Sequence, residues 1–138
     1  MLYLILRKVS VLEIKRQKPL VEAYHFDQRK KEEQDLKTRI HIGFTPLKAP
    51  NENYPKENSI IGTRLRFEVV FTKFIIRGAM GQINHIVNQD IQSQDDLSKA
   101  EIDELMEPLF DILQRLTYEV TEIITDKPGV NLDFERQE

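Results

Sequence analysis

Three histidines, His25, His41 and His85, are the side chains best suited to move protons near neutral pH. None has a histidine partner three or four residues away, so no helix could bring two of them onto one metal. The chain has no cysteine to complete a zinc set. His41 falls on the polar side of an expected strand, an ordinary solvated position. His85, near Asn84 and Asn88, occupies the densest polar neighbourhood. It suits a structural hydrogen-bonding role or, with nearby carboxylates, proton transfer, but no orienting partner is legible. Asp95-Asp96 precede an expected helix, where negative charge favours the helix dipole. Gly78-x-x-Gly81 lacks the third glycine or the Gly-Lys-Ser/Thr ending of a phosphate loop, and no serine sits in a nucleophile elbow. The expectation is a non-enzymatic protein with no cofactor and no metal, acting by binding other proteins.

One cluster points to binding. Arg39, His41, Arg64, Arg66 and Arg77 fall at alternate strand positions and would gather on the wet face of a sheet. Two readings stand: a solvated face whose arginines discourage edge pairing, or a surface for an acidic partner. Nucleic acid is disfavoured, because no aromatic residue interleaves the set and the net charge is −3.

The elements that must position these residues read in two periods. Leu20 to Phe26 alternates as a strand after Pro19, and Asp27 to Asp35 is a mixed-charge connection. In a second strand Ile40, Ile42 and Phe44 face one way and Arg39, His41 and Thr45 the other, with Pro46 expected to end it. Pro46 to Asn58 holds three prolines and three asparagines and reads as a long surface excursion. Leu65, Phe67, Val69 and Phe71 alternate with Arg64, Arg66 and Glu68 in a third strand. A tight turn is predicted at Thr72-Lys73, although neither residue favours the positive φ of a two-residue hairpin. A fourth strand runs from Phe74 towards Val87, with Gly78 and Gly81 marking a bulge or a close backbone approach.

The period then becomes 3.6. Ser98-Lys-Ala-Glu101 forms a capping box, and Ile102, Leu105, Leu109, Leu113, Leu116, Val120 and Ile123 recur at helical spacing. Because proline removes an amide and clashes with the preceding turn, Pro108 predicts a short helix ending near Glu107 and a long one starting at Pro108. Pro128-Gly129 stops it, and Asn131 to Phe134 is extended. Strands first and helices last give an α+β domain: a four-stranded antiparallel sheet with C-terminal helices on one face. At 138 residues, with 40% hydrophobic and 31% charged, the chain suits one domain with a proper core.

Apolar residues exceed what one helical layer can cover. Val70, Phe74 or Ile75, Ile76 and Ile83 put hydrophobic groups on both faces of the second hairpin. That surface predicts a homo-oligomer, dimer or tetramer, or a bound polypeptide, with internal cover by the short helix or the N-terminal extension as the alternative. Met1 to Leu6 is apolar and is followed by Arg7-Lys8, the reverse of a signal peptide's order. It is far short of the roughly 20 residues that span a bilayer, so no membrane insertion is expected. Together with the missing cysteines, this places the expectation in the cytoplasm.

From Leu12-Glu-Ile-Lys-Arg-Gln17, through Gly81-Gln-Ile-Asn-His-Ile86, to Phe134, the sequence resembles a family of unknown function from streptococci, enterococci and lactobacilli. That family has the fold of the export chaperone SecB. Residues 1–11 look like an N-terminal extension and 12–138 like a single SecB-like domain. The likeness to SecB itself rests on four strands then helices, Gly81-x-Ile83 in the fourth strand, Leu109-Phe110 opening the long helix, and Pro128-Gly-Val-Asn-Leu132 after it. It implies an oligomeric holdase that keeps unfolded or exported proteins in an apolar groove. Phe74, Ile75, Ile76, Ile83, Leu109, Leu113, Leu116 and Val120 would line that groove. SecB presents acidic sheet residues to the SecA motor, whereas Arg77 stands at such a position here, which argues against delivery to SecA. The alternative is an interaction or regulatory module binding one folded partner through the arginine-rich face.

Overall fold

A computed structural model describes residues 12–33 and 35–134; the expected extension at 1–11 lies outside the described residues. Among the described residues five strands form one antiparallel sheet: β1 (Ile14–Arg16), β2 (Leu20–Gln28), β3 (Arg39–Leu47), β4 (Ser59–Val70) and β5 (Phe74–Ile86). Among the described residues one α-helix follows, α1 (Lys99–Thr125), after a short 3-10 turn at Gln94–Asp96. Among the described residues no helix is long and apolar enough to cross a membrane.

The strand that periodicity does not reveal is β1, and it does not widen the sheet. Both β1 and β2 pair with β5, Ile14 to Arg16 against Ile86 to Asn84 and Leu20 to Gln28 against Gly81 to Phe74. They lie end to end along the edge of β5 not taken by β4. The sheet is four strands wide with one interrupted edge. The Gln17 amide still donates to Ile83 O at 2.9 Å, and Gln82 Nε2 donates to Gln17 O at 2.8 Å, so the interruption is itself held. Pro46 does not end its strand, as β3 runs on to Leu47. Within the described sheet β3 pairs only with β4, and an outer strand tolerates a residue without an amide. The predicted turn at Thr72-Lys73 is present, closed by Phe71 N–H to Phe74 O at 2.9 Å. Among the described residues only Asn88 and Asp126 have positive φ, so the turn forms without it.

Register sorts the side chains. Leu65, Phe67 and Val69 pair with Met80, Gly78 and Ile76 on the face beneath α1, where Met106, Leu109 and Leu113 complete one core cluster. Leu12, Ile61, Ile86, Ile91, Leu97 and Leu105 form a second. Gly78 matters here, since a Cβ would lie 2.1 Å from Ala23 O and 2.6 Å from the Phe67 ring. Its missing side chain also lets Tyr24 and Phe67, paired with it from either side, meet with ring centroids 5.9 Å apart.

The expected break at Pro108 is corrected: α1 passes through it in one run of 27 residues. The capping box holds as predicted, with Glu101 N–H donating to Ser98 Oγ at 3.2 Å and Ser98 N–H to Glu101 Oε1 at 2.8 Å. Proline leaves the carbonyl four residues earlier, that of Glu104, without its helical donor. Arg16 supplies the replacement. Its Nη2 donates to Glu104 O at 2.7 Å and its Nη1 to Leu105 O at 3.2 Å, while the Leu12 amide donates to the Glu104 side chain at 3.1 Å. Burial lowers the Arg16 pKa, with Glu104 and Glu107 opposing that shift. The N-terminal strand thus answers a defect in the C-terminal helix.

Replacing Arg16 by Met, which keeps an apolar stem, should lower unfolding free energy in urea by about 1–2 kcal/mol. In a Pro108→Ala background the new amide at 108 serves the Glu104 carbonyl, so the same replacement should cost less, with a coupling of about 0.5 kcal/mol or more. Strictly additive costs would show that the guanidinium does not answer the proline.

Candidate functional site

Two surfaces lie on opposite sides of the sheet, one beside the helix and one facing away from it. On the helical side, α1 buries Leu105, Met106, Leu109 and Leu113, then Thr117 and Thr121. The hydroxyls are there for hydrogen bonds. Tyr24 donates to Thr117 Oγ1 at 3.1 Å, and Thr121 Oγ1 donates to Thr117 O at 2.6 Å while accepting from Val130 N–H at 2.8 Å. Burial raises the Tyr24 pKa, and the bond to Thr117 partly offsets this. The chain reverses at Asp126, whose φ is 54°, and the tail returns along the helix. Gly129 permits this, because a Cβ there would lie 2.2 Å from Tyr118 O. Further along, Gln114 Nε2 donates to Leu132 O, and the Phe110 and Phe134 rings meet at 4.9 Å. Tail, helix and sheet frame a slot of about 460 Å³ whose apolar walls are Ile40, Val69, Phe110, Leu132 and Phe134.

The residues expected to line a groove are divided by the structure. Phe74 and Ile76 lie on the helix side with Phe26, since Gln28, Phe26 and Val69 are their paired neighbours. Phe74 stacks on Phe26 and Phe71. Leu109 and Leu113 are fully buried core, whereas Leu116 and Val120 are half-buried. Ile75 and Ile83 belong to the opposite face, the first buried and the second exposed. The slot residues Ile40, Val69, Leu132 and Phe134 carry no sequence signal that marks them as a site. The alternation of Asn131 to Phe134 is the one hint that an extended segment could supply a wall.

The arginine set, by contrast, comes together. Pairing places Arg39, Glu68 and Arg77 in one row across the outer face, and His41, Arg66 and Ala79 in the next. Gly43, Arg64 and Gly81 form a third. Glu68 accepts from Arg77 Nε at 2.8 Å and Arg39 Nη2 at 3.4 Å, and Glu22 accepts from Arg64 Nη2 at 2.9 Å. The bond from Arg77 above all, with Arg39 adding to it, holds the Glu68 carboxyl below its ordinary pKa against a smaller desolvation effect. Exposed Arg66 has no ion pair among the described residues.

His85 has a structural setting. Its Nδ1 lies 3.1 Å from Tyr54 Oη and its Nε2 lies 3.2 Å from Gln17 Nε2, so both ring nitrogens join the loop after β3 to the break between β1 and β2. Among the described residues, no three histidine, aspartate or glutamate side chains are grouped to hold a metal ion.

Two expected outcomes test this geometry. Gly129→Val should release the tail from α1, seen as lost amide-exchange protection at Val130 and a destabilisation of about 1–3 kcal/mol. Unchanged protection would mean the tail is held by other contacts. Because the Glu68 pKa is lowered on folding, its stabilisation is complete above the unfolded carboxyl value of about 4.3 and disappears as pH falls through the folded value. Glu68→Gln should therefore melt lower than the parent at neutral pH, with the gap closing in acid. A gap that is constant with pH would rule out this linkage.

Comparison with solved structures gives several likenesses, two of which are informative here. A protein of unknown function from Streptococcus agalactiae, known from its crystal structure, is 34% identical, with a TM-score of 0.82; the match covers 91% of this chain and 100% of that one. The Mycobacterium tuberculosis Rv1957 SecB-like chaperone, solved in complex with a ChAD peptide from the Rv1956 HigA1 antitoxin, is 7% identical. It matches with a TM-score of 0.50 over 88% of this chain and 90% of that one, a likeness of fold alone. No curated protein matches. The model of the family described as a protein of unknown function, DUF1149, matches residues 12–134, and the chain, an α+β protein with a SecB-like fold, belongs to that family.

Proposed function

We propose that this protein is a non-enzymatic, oligomeric binding protein of the cytoplasm that holds nonpolar stretches of unfolded polypeptide. The observation that carries this reading is the slot between β3, β4, α1 and the tail. Its walls are Ile40, Val69, Phe110, Leu132 and Phe134, and its volume of about 460 Å³ has room for a few side chains of a bound polypeptide. Burying apolar side chains there contributes about 25 cal/mol per Å² and requires no fixed sequence, which fits a binder of many clients. The SecB-like relative, solved with a peptide from an antitoxin, supports a polypeptide as the occupant. Ile123, 74% exposed, and its neighbour Ile124 leave apolar surface at the end of α1 that a second protomer would cover. A second reading, an interaction module engaging one partner through the outer face, is favoured by Arg66, whose guanidinium has no ion pair among the described residues.

The test is suppression of aggregation of a reduced, unfolding client in the absence of nucleotide. The parent should suppress it, and raised salt should change little, because the contacts are apolar. Ile40→Asp puts a charge into the slot and should weaken suppression about tenfold or more. Full suppression by a correctly folded Ile40→Asp variant would move the site elsewhere. No suppression of several unrelated clients would sink the holdase reading. Light scattering should give a dimer or tetramer at micromolar concentration, and a clean monomer would remove the assembly.

A further inference from the structure

The outer face of the sheet carries a pattern more specific than a scatter of charges. Arg64 and Arg66 stand two residues apart on β4, so both project from the same face at about 6.6–7 Å spacing. Three of their four lateral neighbours are small. Arg64 lies between Gly43 and Gly81, and Arg66 between His41 and Ala79, with Ala23 beyond Ala79. Small residues beside the arginines leave the floor low, so another backbone can approach between them. The next row is partly neutralised, because Glu68 is shared by Arg39 and Arg77. Glu22 occupies Arg64 through a half-exposed pair of the kind that a competing carboxylate replaces at little cost. Arg66, without an ion pair among the described residues, is exposed at the centre beside a depression of about 370 Å³.

The charge is also set against its surroundings. The chain is net −3, and α1, on the other side of the sheet, carries seven acidic and two basic residues. A cationic strip on an acidic protein is a local feature and gives the molecule an electrostatic direction.

We infer that this strip docks an extended acidic polypeptide segment, with carboxylates at alternate positions over Arg64 and Arg66. The inference rests on the outer-face reading above and names the partner's chemistry. An extended chain repeats its side chains on one face at the same spacing as β4, so two successive carboxylates meet two successive guanidiniums. Single-stranded nucleic acid fits less well, because among the described residues no phenylalanine, tyrosine or tryptophan shares these two rows to stack a base. The outer face and the apolar slot are on opposite sides of the sheet, so the two sites are separable by mutation.

The experiment uses the full chain and a short fluorescent peptide with glutamate at alternate positions, read by anisotropy. The peptide should bind, weaken as salt is raised, and lose about tenfold or more in affinity with Arg66→Glu. Arg66→Lys should retain part of the binding, and Ile40→Asp all of it. Client aggregation should still be suppressed by Arg66→Glu, which separates this site from the slot. Equal binding by the parent and Arg66→Glu, or tighter binding of an oligothymidine of the same charge, would overturn the inference. Loss of a natural partner on Arg66→Glu with no binding of the peptide would keep the face as an interaction surface and overturn the extended-segment assignment.

Discussion

Pro108 removes a helical donor in the middle of α1, and the freed Glu104 carbonyl must find a partner or lose the free energy of an unsatisfied polar group. The guanidinium of Arg16 provides that partner and also bonds the carbonyl of Leu105. Because Arg16 is the last residue of β1, this contact joins the interrupted edge of the sheet to the helix more than eighty residues later in the chain. The second core cluster gathers around the same junction, with Leu12, Ile86 and Leu105 fully or almost fully buried. A continuous helix is what allows one layer to cover both clusters.

Once the helix lies on one face, strand parity assigns the remaining work. Every pair in the β4–β5 ladder puts two side chains on the same side, so the apolar row Leu65, Phe67, Val69 and the polar row Arg64, Arg66, Glu68 cannot mix. The helix side becomes core and slot. The outer side becomes a charged strip whose middle is kept low by glycine and alanine. The two surfaces differ in chemistry, one lined by apolar side chains and the other by charged ones.

The tail belongs to the helix side. Buried threonines take the place of leucines in the second half of α1, where Thr117 accepts from Tyr24 of the sheet and Thr121 serves both the helix and Val130. Gly129 allows the close approach that starts this return. As a result Leu132 and Phe134 become the wall of the slot, so its shape depends on a segment with no regular secondary structure.

The alternation of the strands, the capping box at Ser98 and the common face of Arg39, His41, Arg64, Arg66 and Arg77 were legible in the sequence. They follow from periods of 2 and 3.6 and from local hydrogen bonds. The resemblance carried the SecB-like arrangement. The continuity of α1 was not legible, because proline breaks a helix on local grounds and only a distant arginine compensates for it. Nor was β1, three residues long, distinguishable from the loop that follows it. The assignment of Ile75 and Ile83 to one face and Phe74 and Ile76 to the other required the register of the hairpin, which a turn without glycine did not announce. Local chemistry in the sequence thus determined which residues alternate and where a helix begins. Tertiary structure alone decided which face each strand turned inward and which defects were repaired, because both depend on partners far away in the chain.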